Sequence, residues 1–271
     1  MYKMIALDLD GTLNNDDKVI TPKTREALIA VQQQGVRVVL ASGRQAPGLM
    51  HEATALDLKS YHGLLLSYNG GRIEDASTNE VLYKKGIPNE LAVRFLRHLE
   101  KFPVSPIVDD GIAIYTTRAD CFKVQDESRN NNMQVKLVEN IADAVKACHF
   151  SPVKILTAAP NEVLVPLLDE ISAPFADRMD FVQSAPFFYE GTMQGVSKAR
   201  SLGQLCDILD IEPQEVMAFG DAQNDMSMIE FAGKGVAMGN ACDELKEIAD
   251  EVTLSNNEDG IAHMLAKHYD I

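Results

Sequence analysis

Three short runs near the N-terminus, KMIALDLD, VRVVLAS and GLLLSY, are almost wholly apolar and are separated by helix-like stretches. A strand that is apolar along its whole length must be buried on both faces. Sheets covered on both faces are built from parallel strands joined by helical crossovers. The first helix is readable at its start, where Thr21 is a cap and Pro22 takes the first-turn position, and Gly35 stops it. A second helix is expected over APGLMHEATAL, and the third apolar run ends in Asn69-Gly70-Gly71. The pattern predicts a doubly wound, Rossmann-like α/β sheet.

After Gly71 the pattern changes. GRIEDASTNEVLYKKG reads as a hairpin, and from Pro88 to about Glu190 helices alternate with half-polar strands: NELAVRFLRHLEKF, GIAIYTT, MQVKLV, VKILTA and EVLVPLLDEI. Alternating polarity suits a sheet with one open face, hence a second α/β domain. From about Gly195 the doubly wound character returns with a helix over VSKARSLGQLCDIL, the strand EVMAFGD, a helix over QNDMSMIEFA and the strand GKGVAM. Two terminal helices flank a short strand, EVT. The simplest architecture is a core formed by residues 1–83 and 192–271, interrupted by an inserted α/β cap over residues 84–191.

Composition narrows the partners. Lys and Arg number 25 against 40 Asp and Glu, a formal net charge of −15, with no dense basic cluster. Nucleic acid and anionic membranes both demand a basic face, so neither is an expected partner. Cys121, Cys148, Cys206 and Cys242 are scattered without CxxC spacing and read as reduced thiols. The first strand begins almost at once, leaving no room for a signal peptide, and no apolar stretch approaches ~20 residues. The expectation is a cytoplasmic protein, monomer or homodimer. His263 and His268 are five apart, on different faces of a helix, and form no metal pattern.

The chemistry gathers at strand ends. In open parallel sheets ligands bind beyond the carboxyl ends of the strands. Asp8 and Asp10 follow the first strand, Ser42-Gly43-Arg44 the second, and Gly220-Asp221 a later one, with Asn224 and Asp225 just beyond; Lys198 begins a helix. Three carboxylates, Asp8, Asp10 and Asp221, can share one edge only if a cation offsets their repulsion. Oxygen ligands without histidine or cysteine select a hard ion, Mg²⁺ foremost. Such a site, with a lysine and a serine hydroxyl facing it, suits a dianionic phosphoryl group.

DLDGT, SGR, Lys198 and GDAQND, in that order, resemble the four motifs of the haloacid dehalogenase superfamily. The insertion between the second and third is similar to that of its Cof-type members, sugar phosphatases among them, and the similarity covers the whole chain. The resemblance implies an Mg²⁺-dependent phosphatase acting on small phosphorylated metabolites. Asp8 would be the nucleophile that becomes an aspartyl phosphate, and Asp10 the general acid and base. Asp8, the main-chain carbonyl of Asp10, and Asp221 would hold the metal, with Asp225 behind them. Ser42, Lys198, Asn224 and the amides of Leu9 and Gly43 would bind phosphoryl oxygens.

Arg44 and Asn69 lie beyond strand ends and are candidate substrate contacts. Two departures from the family pattern stand out: Ala199 follows the lysine where glycine is common, and Glu190-Gly191 stands where an apolar strand is usual. Two other functions fit the same motifs. One is phosphoryl transfer, as in mutases, with an acceptor hydroxyl in place of water. The other is a non-catalytic phosphometabolite sensor, against which Asp8 and Asp10 speak, because binding alone needs no nucleophile.

Overall fold

A computed structural model describes residues 2–271. The chain forms two compact units, one from the residues up to Tyr83 together with Ser197–Ile271, the other from Lys84–Val196. In chain order the first unit begins with β1 (Met4–Leu7), α1 (Pro22–Gln33), β2 (Arg37–Ala41), α2 (Met50–Ala55), β3 (Leu64–Ser67) and the hairpin β4 (Arg72–Asp75) and β5 (Val81–Lys84). The inserted unit follows with α3 (Asn89–Leu99), β6 (Ser105–Asp109), β7 (Ala113–Thr116), α4 (Val124–Asn130), β8 (Gln134–Leu137) and α5 (Ile141–Cys148). It continues with β9 (Lys154–Ala158), α6 (Asn161–Leu164), α7 (Leu168–Ser172), β10 (Met179–Ala185) and β11 (Phe188–Met193). The first unit then resumes with α8 (Lys198–Leu209), β12 (Val216–Gly220), α9 (Met226–Phe231), β13 (Lys234–Ala237), α10 (Asp243–Ile248), β14 (Glu251–Val252) and α11 (Gly260–His268).

The sheet of the first unit has the order β14-β13-β12-β1-β2-β3-β4-β5. It is parallel from β14 to β3 and turns antiparallel at the β3–β4 pair. Both faces are covered, as full-length apolar strands require. Ile5, Leu7, Val38 and Leu40 pack with Leu28 and Val31 of α1 and Met264 of α11. On the other face Met4, Ala6 and Val39 pack with Leu202 and Leu205 of α8 and Met228 of α9. This is the doubly wound α/β fold with an inserted second α/β domain. Leu7 is level with Leu40 on β2 and Phe219 on β12, so three strands end side by side where the strand order reverses. Among the described residues no helix is long and apolar enough to cross a membrane.

Local chemistry explains the ends and breaks of elements. Thr21 Oγ1 accepts from Thr24 N at 3.3 Å at the start of α1, and Ser197 Oγ accepts from Arg200 N at 3.2 Å at the start of α8. Three expected helices are broken. Residues 46–49, which contain Pro47 and Gly48, form a 3₁₀ turn ahead of α2. The helix expected over EVLVPLLDEI becomes α6, a 3₁₀ turn at Val165–Leu167, and α7, because Pro166 has no N–H to donate and its ring crowds the preceding turn. Gln223–Asp225 likewise form a 3₁₀ turn before α9.

The inserted sheet runs β10-β11-β9-β6-β7-β8. One face packs Ile155, Tyr115 and Tyr189 against Phe95 of α3 and Val145 of α5. The other carries a smaller cluster of Ile107, Ile114, Leu156 and Val124, and beside it the buried ion pair Lys154 Nζ–Glu190 Oε1 at 3.1 Å. Glu190 and Gly191 thus belong to a strand after all. Glu190 is buried by pairing, and Gly191 leaves room for the ring of Phe181 and the methyl of Met179. Because β11 continues through Met193, the chain returns to the first unit at Ser197, later than the residue 192 expected from sequence.

Candidate active site

The end of β1 is held between its neighbours, with Asp8 N donating to Phe219 O at 3.1 Å. The chain then turns back on itself: Asn14 N donates to Leu9 O at 2.9 Å and Leu13 N to Asp8 O at 3.2 Å. Gly11 makes the turn possible. Its φ is +87°, and a Cβ there would collide with the Asp221 carboxylate, so the Asp10–Gly11 backbone runs directly against Asp221.

Lys198 ties the centre together. It is 1% exposed, and its Nζ donates to Asp8 Oδ1 and Asp225 Oδ1, both at 2.6 Å. Asp225 Oδ2 accepts from the backbone N of Asp221 at 3.0 Å and of Ala222 at 3.1 Å. Both Asp225 oxygens are therefore engaged, and its work is to aim Lys198 and fix the turn that carries Asp221. Thr12 Oγ1 donates to Asp221 Oδ1 at 2.7 Å. Among the described residues Asp8 Oδ2 and Asp221 Oδ2 accept no hydrogen bond, and carboxylate oxygens of Asp8, Asp221 and Asp225 lie within 4.8 Å of one another.

That crowding sets the titration. Burial raises Asp8, Lys198 opposes it, and the charges of Asp225 and Asp221 add to the rise, leaving Asp8 at about 7. Burial also raises Asp221 against the hydrogen bond from Thr12. Lys198 is pulled down by burial, but Asp8 and Asp225 outweigh that and hold it above its ordinary value.

Asp10 lies apart from this group. Arg44 Nη2 donates to Asp10 Oδ1 at 2.8 Å and Oδ2 at 2.7 Å, and Lys18 Nζ to Oδ1 at 3.1 Å. Burial alone would raise Asp10, yet Arg44 and Lys18 together hold it below the usual carboxylate value. The repulsion expected among Asp8, Asp10 and Asp221 is thus resolved differently: the third carboxylate beside Asp8 and Asp221 is Asp225, and the Asp10 side chain has its own cations.

Ser42, 4% exposed, accepts Arg44 N on its hydroxyl at 3.2 Å and Asn69 N on its carbonyl at 2.8 Å. Asn224 Nδ2 donates to Asn69 Oδ1 at 3.4 Å. Leu9 is fully buried, and Gly43 follows Ser42 beneath the Asn69 amide. Four contributors escaped the sequence reading. Thr12 stands within the DLDGT motif, whereas Lys18 and Asn240 are loop residues without periodic signal. Asn240 Nδ2 donates to Gly11 O at 2.8 Å. The fourth is Glu52, 3% exposed, whose Oε1 takes Asn14 Nδ2 at 2.9 Å and braces the turn after Asp10.

A parallel sheet with carboxylates and a buried lysine at its strand ends defines a class, and residues 5–265 match the family model described as haloacid dehalogenase-like hydrolase. The chain belongs to that family, in its Cof-type branch, and is a phosphomonoester hydrolase of the haloacid dehalogenase type. It is 36% identical over 269 residues to YxeH of Bacillus subtilis (strain 168), which carries the name of a phosphatase, covering 98% of this chain and 97% of the relative. A crystal structure of a haloacid dehalogenase-like hydrolase from Bacteroides thetaiotaomicron superposes with a TM-score of 0.92 at 37% identity, covering 99% of this chain and all of the other. Another solved structure, described as a HAD subclass IIB sugar phosphatase, gives a TM-score of 0.78 at 25% identity, with 98% of each chain covered.

Proposed function

We propose that this protein is an Mg²⁺-dependent phosphatase of small phosphomonoesters, sugar phosphates foremost, working through an aspartyl phosphate on Asp8. The observation that carries the proposal is the pairing of Lys198 with Asp8 beside Asp221. Three carboxylates there face one ammonium, and among the described residues one oxygen each of Asp8 and Asp221 takes no hydrogen bond. A divalent, oxygen-seeking cation fits that donor set. Asp8, Asp221 and the main-chain carbonyl of Asp10 would hold it. When bound, Mg²⁺ supplies positive charge that favours the ionised nucleophile and the phosphoryl oxygens. The sugar-phosphate preference draws support from the structural relative described as a sugar phosphatase.

The chain's own residues then divide the work. An Asp8 oxygen attacks phosphorus and the bond to the leaving oxygen breaks, with Asp10 giving that oxygen a proton. Water next attacks phosphorus, Asp10 takes its proton, and the Asp8–phosphorus bond breaks to release orthophosphate. Arg44 and Lys18 keep Asp10 ionised in the ligand-free site, the form that accepts a proton. A phosphoryl dianion competes for those cations, and losing them raises Asp10 toward the donating form. Ser42, Lys198, Asn224 and the amides of Leu9 and Gly43 bind the phosphoryl oxygens, and the inserted domain, residues 84–191 in the sequence reading, selects the leaving group. The four unpaired cysteines suit a cytoplasmic setting.

The test is a panel of phosphorylated metabolites with purified protein. Hydrolysis should require Mg²⁺, stop with EDTA, and favour sugar phosphates. Full turnover in metal-free buffer would contradict the metal assignment, and a preference for phosphoesters without hydroxyl-rich leaving groups would contradict the substrate class.

A further inference from the structure

We infer that Asn69 donates a hydrogen bond to the transferring phosphoryl group, held in place by a run of left-handed backbone, and does not read the leaving group; this rests on the phosphatase reading above. After β3 the chain takes positive φ at three residues in succession, Tyr68 at 55°, Asn69 at 54° and Gly70 at 103°. That region is costly for a bulky side chain, tolerated by asparagine and open to glycine. A fold keeps such a run only where its surroundings over-determine it.

Here the surroundings are the phosphate-binding elements themselves. Tyr68 N donates to Arg44 O at 2.9 Å and Asn69 N to Ser42 O at 2.8 Å. On the other side Ser201 Oγ donates to the carbonyl of Gly70, and a Cβ on Gly70 would collide with the Ser197 carbonyl. The loop is therefore fixed between the turn after β2, which carries Ser42 and Gly43, and the first turn of α8, which carries Lys198.

The pinned backbone delivers one side chain. The Asn69 amide lies over Gly43, where an added Cβ would be 3.1 Å from Nδ2 and 3.2 Å from Oδ1. Its Oδ1 is taken by Asn224 Nδ2, while its Nδ2 donates to no group among the described residues. Asn69 is half-buried, so this donor is open to a ligand. Every residue that orients the amide, Ser42, Gly43 and Asn224, is assigned to the phosphoryl oxygens and none to a leaving group. A neutral N–H in that company suits an anionic oxygen common to all substrates.

Two variants of the full chain test this with Mg²⁺ supplied. Asn69→Gly deletes the amide and keeps the positive φ free of strain; Asn69→Asp keeps the size and places an oxygen where the donor was. Both should lose about ten- to a hundredfold in kcat/KM, by the same factor on p-nitrophenyl phosphate and on every sugar phosphate, with the larger loss in Asn69→Asp. Orthophosphate inhibition should weaken in parallel. Asn69→Gly with unchanged kcat/KM and unchanged orthophosphate inhibition overturns the inference. So does a loss that varies tenfold with the leaving group, or one that appears only because both variants melt at the assay temperature. A wild-type protein that hydrolyses nothing would instead sink the phosphatase reading, and calorimetric binding of orthophosphate to the two variants would still decide the role of Asn69.

Discussion

Lys198 and Lys154 are buried lysines, one in each compact unit, and each is hydrogen-bonded to a buried carboxylate. Lys154 is pulled down by burial, and Glu190, Glu127 and Asp109 outweigh that and hold it above its ordinary value. By burial and pairing alone the two lysines are hard to tell apart. Their placement on the sheets separates them. Lys154 stands in β9 and Glu190 in the neighbouring antiparallel β11, so their pair lies across the ladder itself and not beyond the ends of parallel strands. Each carboxylate there has a neutral donor, Ser184 for Glu190, Asn131 for Glu127 and the Gly111 amide for Asp109, whereas the Asp8 carboxylate takes only Lys198 among the described residues. Asp8 and Asp221 lie past the last ladder bonds of parallel strands, where side chains can converge, and the group they form with Asp225 is the one among the described residues whose oxygens gather closely enough to hold a metal. A buried ion pair does not by itself mark a site. Convergence at parallel strand ends does.

The largest expected effect breaks the comparison outright. Asp8→Asn should abolish turnover by several powers of ten, each ~1.4 kcal/mol of barrier, with the fold intact. Lys154→Met should leave kcat on p-nitrophenyl phosphate within about tenfold of wild type at temperatures where it stays folded. Its cost should fall on stability, about 3–5 kcal/mol for leaving a buried partner uncompensated, and Lys154→Met with Glu190→Leu should recover much of it. A folded Lys154→Met as dead as Asp8→Asn would erase the distinction between the two lysines.

A smaller effect lies in the metal-free protein. Folding raises Asp8 from 3.8 to about 7, so between those values the folded state holds the proton more tightly than the unfolded state. Stability should therefore fall as pH rises through that window. Asp8→Asn should flatten the fall and melt higher than wild type near pH 8 without metal, while Mg²⁺ should raise the melting temperature of wild type more than that of the variant. Melting curves from pH 4 to 8 check the sign, and a wild-type protein that gains stability across that range would refute it. Smallest of all is Lys18, an exposed partner of Asp10. Lys18→Ala should shift stability by less than about 0.5 kcal/mol and slow turnover only a few-fold, since Arg44 remains on the carboxylate; steady-state kinetics would show either outcome.

How far the sequence reveals this molecule depends on the range of each interaction. Burial on two faces leaves a local trace, so the parallel strands and their order of appearance are readable from apolar runs. Asp8, Asp10 and Gly11 are readable because one tight turn holds them. Lys198 meets Asp8 only through the general rule that ligand groups gather at strand ends. The Lys154–Glu190 pair has no comparable rule, since two charged residues in half-polar strands look like a solvated face until the strands are paired. Lys18 and Asn240 reach the site from loops, where side-chain direction has no periodicity. The separation of the Asp10 side chain from the other carboxylates is not legible because nothing local in the sequence pairs Asp10 with Arg44, 34 residues away.

The most direct measurement is an acid quench of a single turnover with a phosphomonoester and Mg²⁺, followed by peptide mass spectrometry. Phosphate should be found on the peptide that contains Asp8, and it should be absent when Asp8 is replaced by asparagine. Hydrolysis that proceeds with no phosphorylated peptide at any quench time, or with phosphate on another residue, would contradict the assignment of the β1 strand end as the site of covalent chemistry.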